Sequence, residues 1–264
     1  MRPSTRKAIV RGPLFAALLG NAACGGAHPS ALNLPTPSPA LSSGEPSIRV
    51  ADAALLGGAP AMAVQVADGI LARNPRDLSA LLRKGEALYL LKRNDEAVAV
   101  FEHALAVNPG NAGALLGLGR IRLAHDPAAA ADLFSQVLGR EPRNAAALND
   151  LGIARDLLGQ HSMAQAAYRM ALAVSPDTMA ARVNLGVSLA VSGHEKEALD
   201  VLRPLAAAPE TTPRMRQDVA ATLALAGEDD AARNLLSQDL NASEIAQAMS
   251  SFKKLHNYTN PPNQ

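Results

Sequence analysis

The sequence predicts an all-α solenoid of helix-turn-helix repeats, and three observations carry that prediction. Gly85, Gly119, Gly152 and Gly186 recur at steps of 34, 33 and 34. Ala97, Ala130, Ala164 and Ala198 recur at 33, 34 and 34, and Pro75, Pro109, Pro142 and Pro176 at 34, 33 and 34. Three independent series share one period, and the one missing residue falls between Gly119 and Ala130 in each. A fixed period of this length signals stacked supersecondary units rather than one globular core.

Each landmark has a physical task. In the unit from Leu78 to Asn111, Leu81, Leu88, Ala97, Phe101 and Ala104 fall on helical faces. Gly85 sits mid-helix, where glycine costs about 1 kcal/mol relative to alanine. That cost is tolerated where the partner helix crosses too closely for a side chain. Ala97 is the matching small residue, Phe101 fills the space one turn later, and Pro109 ends the unit. Lys92-Arg93-Asn94-Asp95 reads as the turn between the two helices.

The following units repeat this order. Leu115, Leu118, Gly119, Ala130, Phe134 and Pro142 make the second, and Leu148, Gly152, Ala164, Tyr168 and Pro176 the third. Leu185, Gly186, Ala198 and Leu202 make the fourth, which closes less regularly at Pro204 and Pro209. A fifth runs from about Thr212 to Leu240 with Leu223, Gly227 and Ala232 in register. Ala63, Ile70 and Pro75 end a degenerate first unit that starts near Ser47.

After the last unit, Asn241 and Glu244 have capping-box spacing, and Leu240 and Ile245 are placed as a hydrophobic staple. Ile245, Ala248, Met249 and Phe252 then line one helical face, and Lys253, Lys254 and His256 sit near its end, where the helix dipole favours cations. Residues 241–264 are thus expected to form a capping helix and a disordered tail containing Asn260-Pro261-Pro262.

Small residues at the helix crossing, an aromatic four residues after the alanine, and a closing proline resemble the tetratricopeptide (TPR) family over roughly residues 47–240. The resemblance implies a right-handed α-solenoid. Leu81, Leu115 and Leu148 stand where the family usually has tryptophan or another aromatic, and the chain has no tryptophan. Such folds serve many unrelated binding tasks, so the resemblance alone does not specify a role.

The N-terminus carries a second message. Arg2, Arg6, Lys7 and Arg11 precede an apolar run from Pro13 to Ala23, the pattern of a signal peptide over residues 1–23 and too short to span a bilayer as a helix. The run stops at Cys24, the only cysteine, flanked by Ala22, Ala23, Gly25 and Gly26. This resembles the lipobox of bacterial lipoproteins, which implies an acylated Cys24 as the mature N-terminus. Asn21 departs from the usual leucine, and ordinary cleavage before His28 is the alternative it leaves open. Residues 24–46, with Pro29, Pro35, Pro37, Pro39 and Pro46 and little charge, read as a disordered tether. Gly25 after the cysteine resembles the outer-membrane sorting pattern, which implies the periplasmic face of the outer membrane.

Chemistry is sparse. Lys+Arg 25 against Asp+Glu 24 leaves a charge of +1 with no basic stripe, against nucleic acid. The six histidines are scattered without metal-ligand spacing. Gly113, Gly117 and Gly119 form a glycine-rich patch inside a helix, not the strand-to-helix context of a phosphate cradle. Neither a catalytic constellation nor a cofactor motif is present, so a non-enzymatic protein is expected.

Function is then expected on a surface. First helices of successive units line the concave face of such a superhelix. By register, Arg83, Glu86, Tyr89, Arg120, Asn149, Asp150, Asp156, Asn184 and Gln217 are the residues expected to face a bound protein segment. Asn184 stands where the family often bonds a peptide backbone. Arg120 and Asp156 are also placed to pair across adjacent units.

A signal peptide with a lipobox, a Pro/Ser tether and about five units resembles the TPR lipoprotein of Flp-type tight-adherence pilus machines, the TadD kind. The telling segment runs from Arg216 to Gly227, then Ala231-Ala232-Arg233 and Asp239-Leu240. Asp218 and Thr222 interrupt its usual apolar and asparagine-rich run. The resemblance implies a pilotin or assembly factor whose partner is a secretin or another pilus-machine component. Outer-membrane protein insertion, polysaccharide export, cell-wall enzyme recruitment or a soluble periplasmic adaptor are the alternatives.

Overall fold

The structure, a computed structural model, describes residues 47–206 and 211–259. The signal segment, Cys24 and the tether lie outside the described residues, as do Pro209 and the tail from Asn260. Every described element is a helix, and helices pair in sequence. The first unit has α1 (Ile48–Leu56) and α2 (Pro60–Leu71), followed by α3 (Leu78–Leu90) with α4 (Asn94–Val107). Next come α5 (Ala112–Arg122) with α6 (Pro127–Arg140) and α7 (Ala145–Leu157) with α8 (His161–Val174). The later pairs are α9 (Met179–Val191) with α10 (Glu195–Ala206), and α11 (Pro213–Leu225) with α12 (Asp229–Leu236). Helix α13 (Ala242–Thr259) follows.

Contacts divide the described chain into two compact units, residues 47–181 and 182–259, the boundary falling inside α9. In the first, each helix from α1 to α8 packs on the next, and first helices also touch across repeats, α1 on α3 and α3 on α5. In the second, α10 packs on α11, α11 on α12, and α13 on both α11 and α12.

The glycine series has a more specific cause than helix crossing alone. A Cβ on Gly85 would lie 2.5 Å from the ring of Phe101, and one on Gly119, Gly152 or Gly186 would overlap Phe134, Tyr168 or Leu202. Each glycine is the slot for the large residue four positions after the alanine of its own repeat. Those four side chains are buried, Phe134, Tyr168 and Leu202 completely. The glycine-rich patch is explained the same way: Gly117 receives the far edge of Phe101 from the preceding repeat. One ring is therefore held between glycines of two repeats.

Helix starts repeat as well. Asp77, Asn111 and Asn144 cap α3, α5 and α7, each carboxylate or amide oxygen accepting from the N–H three residues on at 2.9 Å. These caps satisfy donors that a helix N-terminus otherwise leaves open.

The turns explain the missing residue. Gly58, Lys92, Gly159, Gly193 and Gly227 all have φ between 62° and 82°. The next N–H in each turn then bonds five residues back: Arg93 to the Leu88 carbonyl at 2.9 Å, Gln160 to Arg155 at 2.8 Å, Glu228 to Leu223 at 2.8 Å. This is the left-handed C-terminal cap of a helix. The α5–α6 connection lacks that residue, and Asp126 N–H bonds only four back, to Arg122 at 2.7 Å. Asn94 and Asp95 lie inside α4, so the first turn is Leu91–Arg93 and not the four residues the sequence suggests.

At the C-terminal end the capping box forms as expected. Asn241 Oδ1 accepts from Ser243 and Glu244 N–H at 3.0 and 3.1 Å, and Glu244 Oε2 accepts from Asn241 N–H at 2.9 Å. Met249 is buried, with Ile245, Ala248 and Phe252 half-buried beside it. Pro204, near the end of the fourth repeat, is accommodated within the last turn of α10.

Candidate partner-binding face

The first helices carry most of the polar residues that the register directs to one face, and the structure sorts these by depth. In the unit of residues 47–181, Glu86 is exposed, and Arg83, Tyr89 and Arg120 are half-buried on α3 and α5. In the unit of residues 182–259, Gln217 is half-buried on α11. These five keep solvent-accessible surface.

The other four do not line an open groove. Asn149 is 7% exposed, Asp150 and Asp156 2%, and Asn184 1%. Asn149, Asp150 and Asp156 spend their polarity on partners within the fold. Asp150 receives the Arg120 Nε at 2.6 Å across the α5–α7 junction, and Asn149 Nδ2 lies 3.3 Å from its other oxygen. Burial pushes the Asp150 carboxyl above its ordinary value, opposed by the Arg120 guanidinium. The Arg120 partner is therefore Asp150 and not Asp156, because Asp156 faces inward. It accepts from the Tyr168 hydroxyl at 3.0 Å and sits 2.8 Å from His161 Nδ1. Complete burial and the neighbouring Asp156 carboxylate hold the Tyr168 phenol well above its usual range, so it stays a proton donor.

A second rung joins Arg83 on α3 to Asp52 on α1, and Glu86 lies 3.8 Å from the same guanidinium. Both rungs run from the residue after the small crossing position of one repeat to the residue two before it in the next. Asp52 and Arg83 occupy those places in one pair of repeats, Arg120 and Asp150 in another, with the signs reversed. Arg83 and Arg120 on this face are thus engaged in inter-repeat pairing, while each keeps part of its side chain exposed. Tyr89 is further shaped by Lys92, whose Nζ lies 5.6 Å from the ring centre.

In the unit of residues 182–259 the same register position is Asp218, 3% exposed. The residue that would face it from the preceding repeat is Val187, which supplies no charge. Arg214 Nε lies 3.6 Å away on the same helix, and Asp218 Oδ1 has no hydrogen-bond partner among the described residues. Desolvation pushes the Asp218 carboxyl up to about 6. Nearby, Arg216 clasps both oxygens of Asp239 at 2.5 Å and donates to the Thr211 carbonyl at 2.6 Å.

Among the described residues no group of three or more His, Cys, Asp or Glu side chains is placed to hold a metal. No described helix is long and apolar enough to cross a membrane.

Tetratricopeptide-repeat profiles match residues 78–121, 124–162 and 158–210. No curated protein sequence matches the chain. Among solved structures, the chain is similar to TTC0263, a thermophilic TPR protein in Thermus thermophilus. The identity is 25% and the TM-score 0.57, with 67% of this chain and 99% of that one covered. It is also similar in fold to PilW, a widely conserved type IV pilus biogenesis factor, at 22% identity and TM-score 0.67 over 77% of this chain and 96% of that one. Period, glycine slots, repeating caps and these likenesses agree: the chain is built of tetratricopeptide repeats and forms an all-helical TPR solenoid.

Proposed function

We propose that this protein is a non-enzymatic, membrane-anchored scaffold that binds protein partners through its first-helix face, and that it serves assembly of a Flp-type pilus or a related secretion machine. The fold is one used for protein–protein contacts. Glu86 and Tyr89, with the open sides of Arg83 and Arg120, are the side chains this face offers in the unit of residues 47–181.

The pilus reading is carried by the segment from Arg216 to Asp239-Leu240, which resembles the last unit of the TadD kind. The clasp between Arg216 and Asp239 gives a physical reason for the two ends of that segment to occur together, since it ties the start of α11 to the chain before α13. The order of signal segment, Cys24, tether and repeats supports an anchor at the periplasmic face of the outer membrane. PilW contributes only a shared fold to this reading.

The test is affinity capture of the tagged full-length protein from detergent-solubilised envelopes. Recovery of a secretin or pilus-machine component, lost on Glu86→Ala with Tyr89→Ala, is the expected result. Recovery of an outer-membrane insertion or polysaccharide-export complex would replace the pilus reading while leaving the scaffold one intact. Asn21 favours a second reading, a soluble periplasmic adaptor. Acyl labelling of the wild type and of Cys24→Ser separates the two, because equal labelling sinks the anchor.

A further inference from the structure

Three methionine side chains among the described residues are exposed to nearly the same degree: Met62 at 52%, Met163 at 51% and Met170 at 53%. Their sulfurs differ in what surrounds them. Arg155 Nη1 donates to Met163 Sδ at 3.1 Å, and among the described residues neither Met62 nor Met170 has such a donor. The same Nη1 donates to Gln160 Oε1 at 2.9 Å, and among the described residues no carboxylate pairs with the Arg155 guanidinium. The α7–α8 turn sets this arrangement. Arg155 lies in the last turn of α7 and Met163 in the first turn of α8. Gly159, at φ 73°, and the Gln160 N–H bond to the Arg155 carbonyl at 2.8 Å hold the two ends together. A thioether is a weak acceptor, and a cation gains far more from a polar oxygen.

We propose that Met163 is a site of reversible oxidation whose product is received by Arg155: a peroxide converts the thioether to the sulfoxide, and the new oxygen replaces sulfur as acceptor for the guanidinium. In that step a sulfur lone pair attacks one peroxide oxygen, the S–O bond forms and the O–O bond breaks. With hydrogen peroxide, the departing hydroxide takes the proton from the sulfur-bound oxygen and leaves as water. Sulfur loses two electrons and the peroxide gains them. Rotation about the terminal bonds of the Met163 side chain then brings the oxygen to Arg155. Methionine oxidation ordinarily disrupts a fold because it puts a polar group into an apolar core or interface. Met163 escapes that penalty because its side chain already meets water, and its new acceptor meets a cation that has no carboxylate. Oxidation here tightens the α7–α8 hairpin. Met170, seven residues on along α8, is the built-in comparison.

The experiment is hydrogen peroxide treatment of the full-length chain in detergent, in a Met62→Leu/Met170→Leu background. Peptide mass spectrometry reads oxygen uptake, and hydrogen exchange reads the hairpin. The same protein carrying Arg155→Ala or Arg155→Gln is treated in parallel. The expected result is uptake of oxygen at Met163 and exchange in residues 155–164 slowed about two- to fivefold on oxidation, the effect of one net hydrogen bond. The slowing should be absent in both Arg155 variants and reversed by methionine sulfoxide reductases for the two epimers. Matching exchange in α3–α6 of the unoxidised proteins checks that the variants keep the repeats. An equal change on oxidation with and without Arg155, or faster exchange in its presence, overturns the inference. So does a Met163 that stays unoxidised while Met62 and Met170 of the wild type take up oxygen.

Discussion

The ring of Phe101 occupies the place where a side chain on Gly117 would begin, although the two residues belong to different repeats. The same ring fills the slot of Gly85 in its own repeat. Gly117→Ala therefore gains helix propensity, about 1 kcal/mol, and loses more to overpacking, about 1–3 kcal/mol. A net loss of roughly 1 kcal/mol is expected in urea unfolding followed by circular dichroism. Gly139, on α6 with nothing near its missing Cβ, is the control: Gly139→Ala should stabilise. A Phe101→Leu background should relieve the Gly117→Ala penalty, and additive effects in that cycle would remove the ring as its cause.

The same pair shows what the sequence can and cannot convey. The period exposes Gly85, Gly119, Gly152 and Gly186 as one series, because each contact lies within a repeat. Gly117 belongs to no series, and its contact crosses to the preceding repeat, so only the structure gives it a reason. Asp77, Asn111 and Asn144 share the period, so their spacing is compatible with the caps they form. Depth was the harder quantity. Register directs Asp150, Asp156 and Asn184 to a face, but polar residues on a first helix look alike whether they meet water or a neighbouring repeat. Asp150 is buried because Arg120, 30 residues away, supplies its counter-charge, and no local pattern encodes that pairing.

Lys92 is the only non-glycine among the positive-φ residues of the described turns. An L-residue there costs about 1–2 kcal/mol, while glycine costs about 0.5–1 kcal/mol in unfolded-state entropy. Its position over Tyr89 returns about 0.5 kcal/mol at an exposed site. Lys92→Gly should thus be neutral to slightly stabilising, by up to ~0.5 kcal/mol. Lys92→Ala keeps the strain and loses the ring contact, so it should destabilise by about 0.5 kcal/mol. The two variants moving in the same direction in thermal melts would show that the backbone conformation is not what matters.

Asp218 links stability to pH. Its carboxyl titrates at about 6 in the fold against an ordinary 3.8, so between these values the folded chain holds the proton that the unfolded chain releases. Stability then falls as pH rises through that window and is lowest above it. The full span corresponds to about 3 kcal/mol, an upper bound at 1.36 kcal/mol per unit. Asp218→Asn should be more stable than wild type at about pH 7.5 and indistinguishable at about pH 4. Parallel stability curves for the two proteins across this range would refute the linkage.

Arg120 and Asp150 form one ion pair with unequal partners. The carboxylate is 2% exposed, whereas the guanidinium side is 30% exposed. Removing Arg120 strands a buried charge, for which a loss of about 3–5 kcal/mol is usual. Removing Asp150 leaves a cation that has an exposed side and lies in the field of the Glu86 carboxylate, so the loss should be nearer to about 1–2 kcal/mol. Arg120→Met is therefore expected to cost more than Asp150→Asn in denaturant unfolding near neutral pH. The gap should narrow as the pH is lowered, because the stranded Asp150 can then take up a proton. With both residues replaced by apolar ones of similar volume, the destabilisation should fall below that of Arg120→Met alone. A double variant as unstable as the sum of the two singles would mean that the rung contributes through packing and not through its charges.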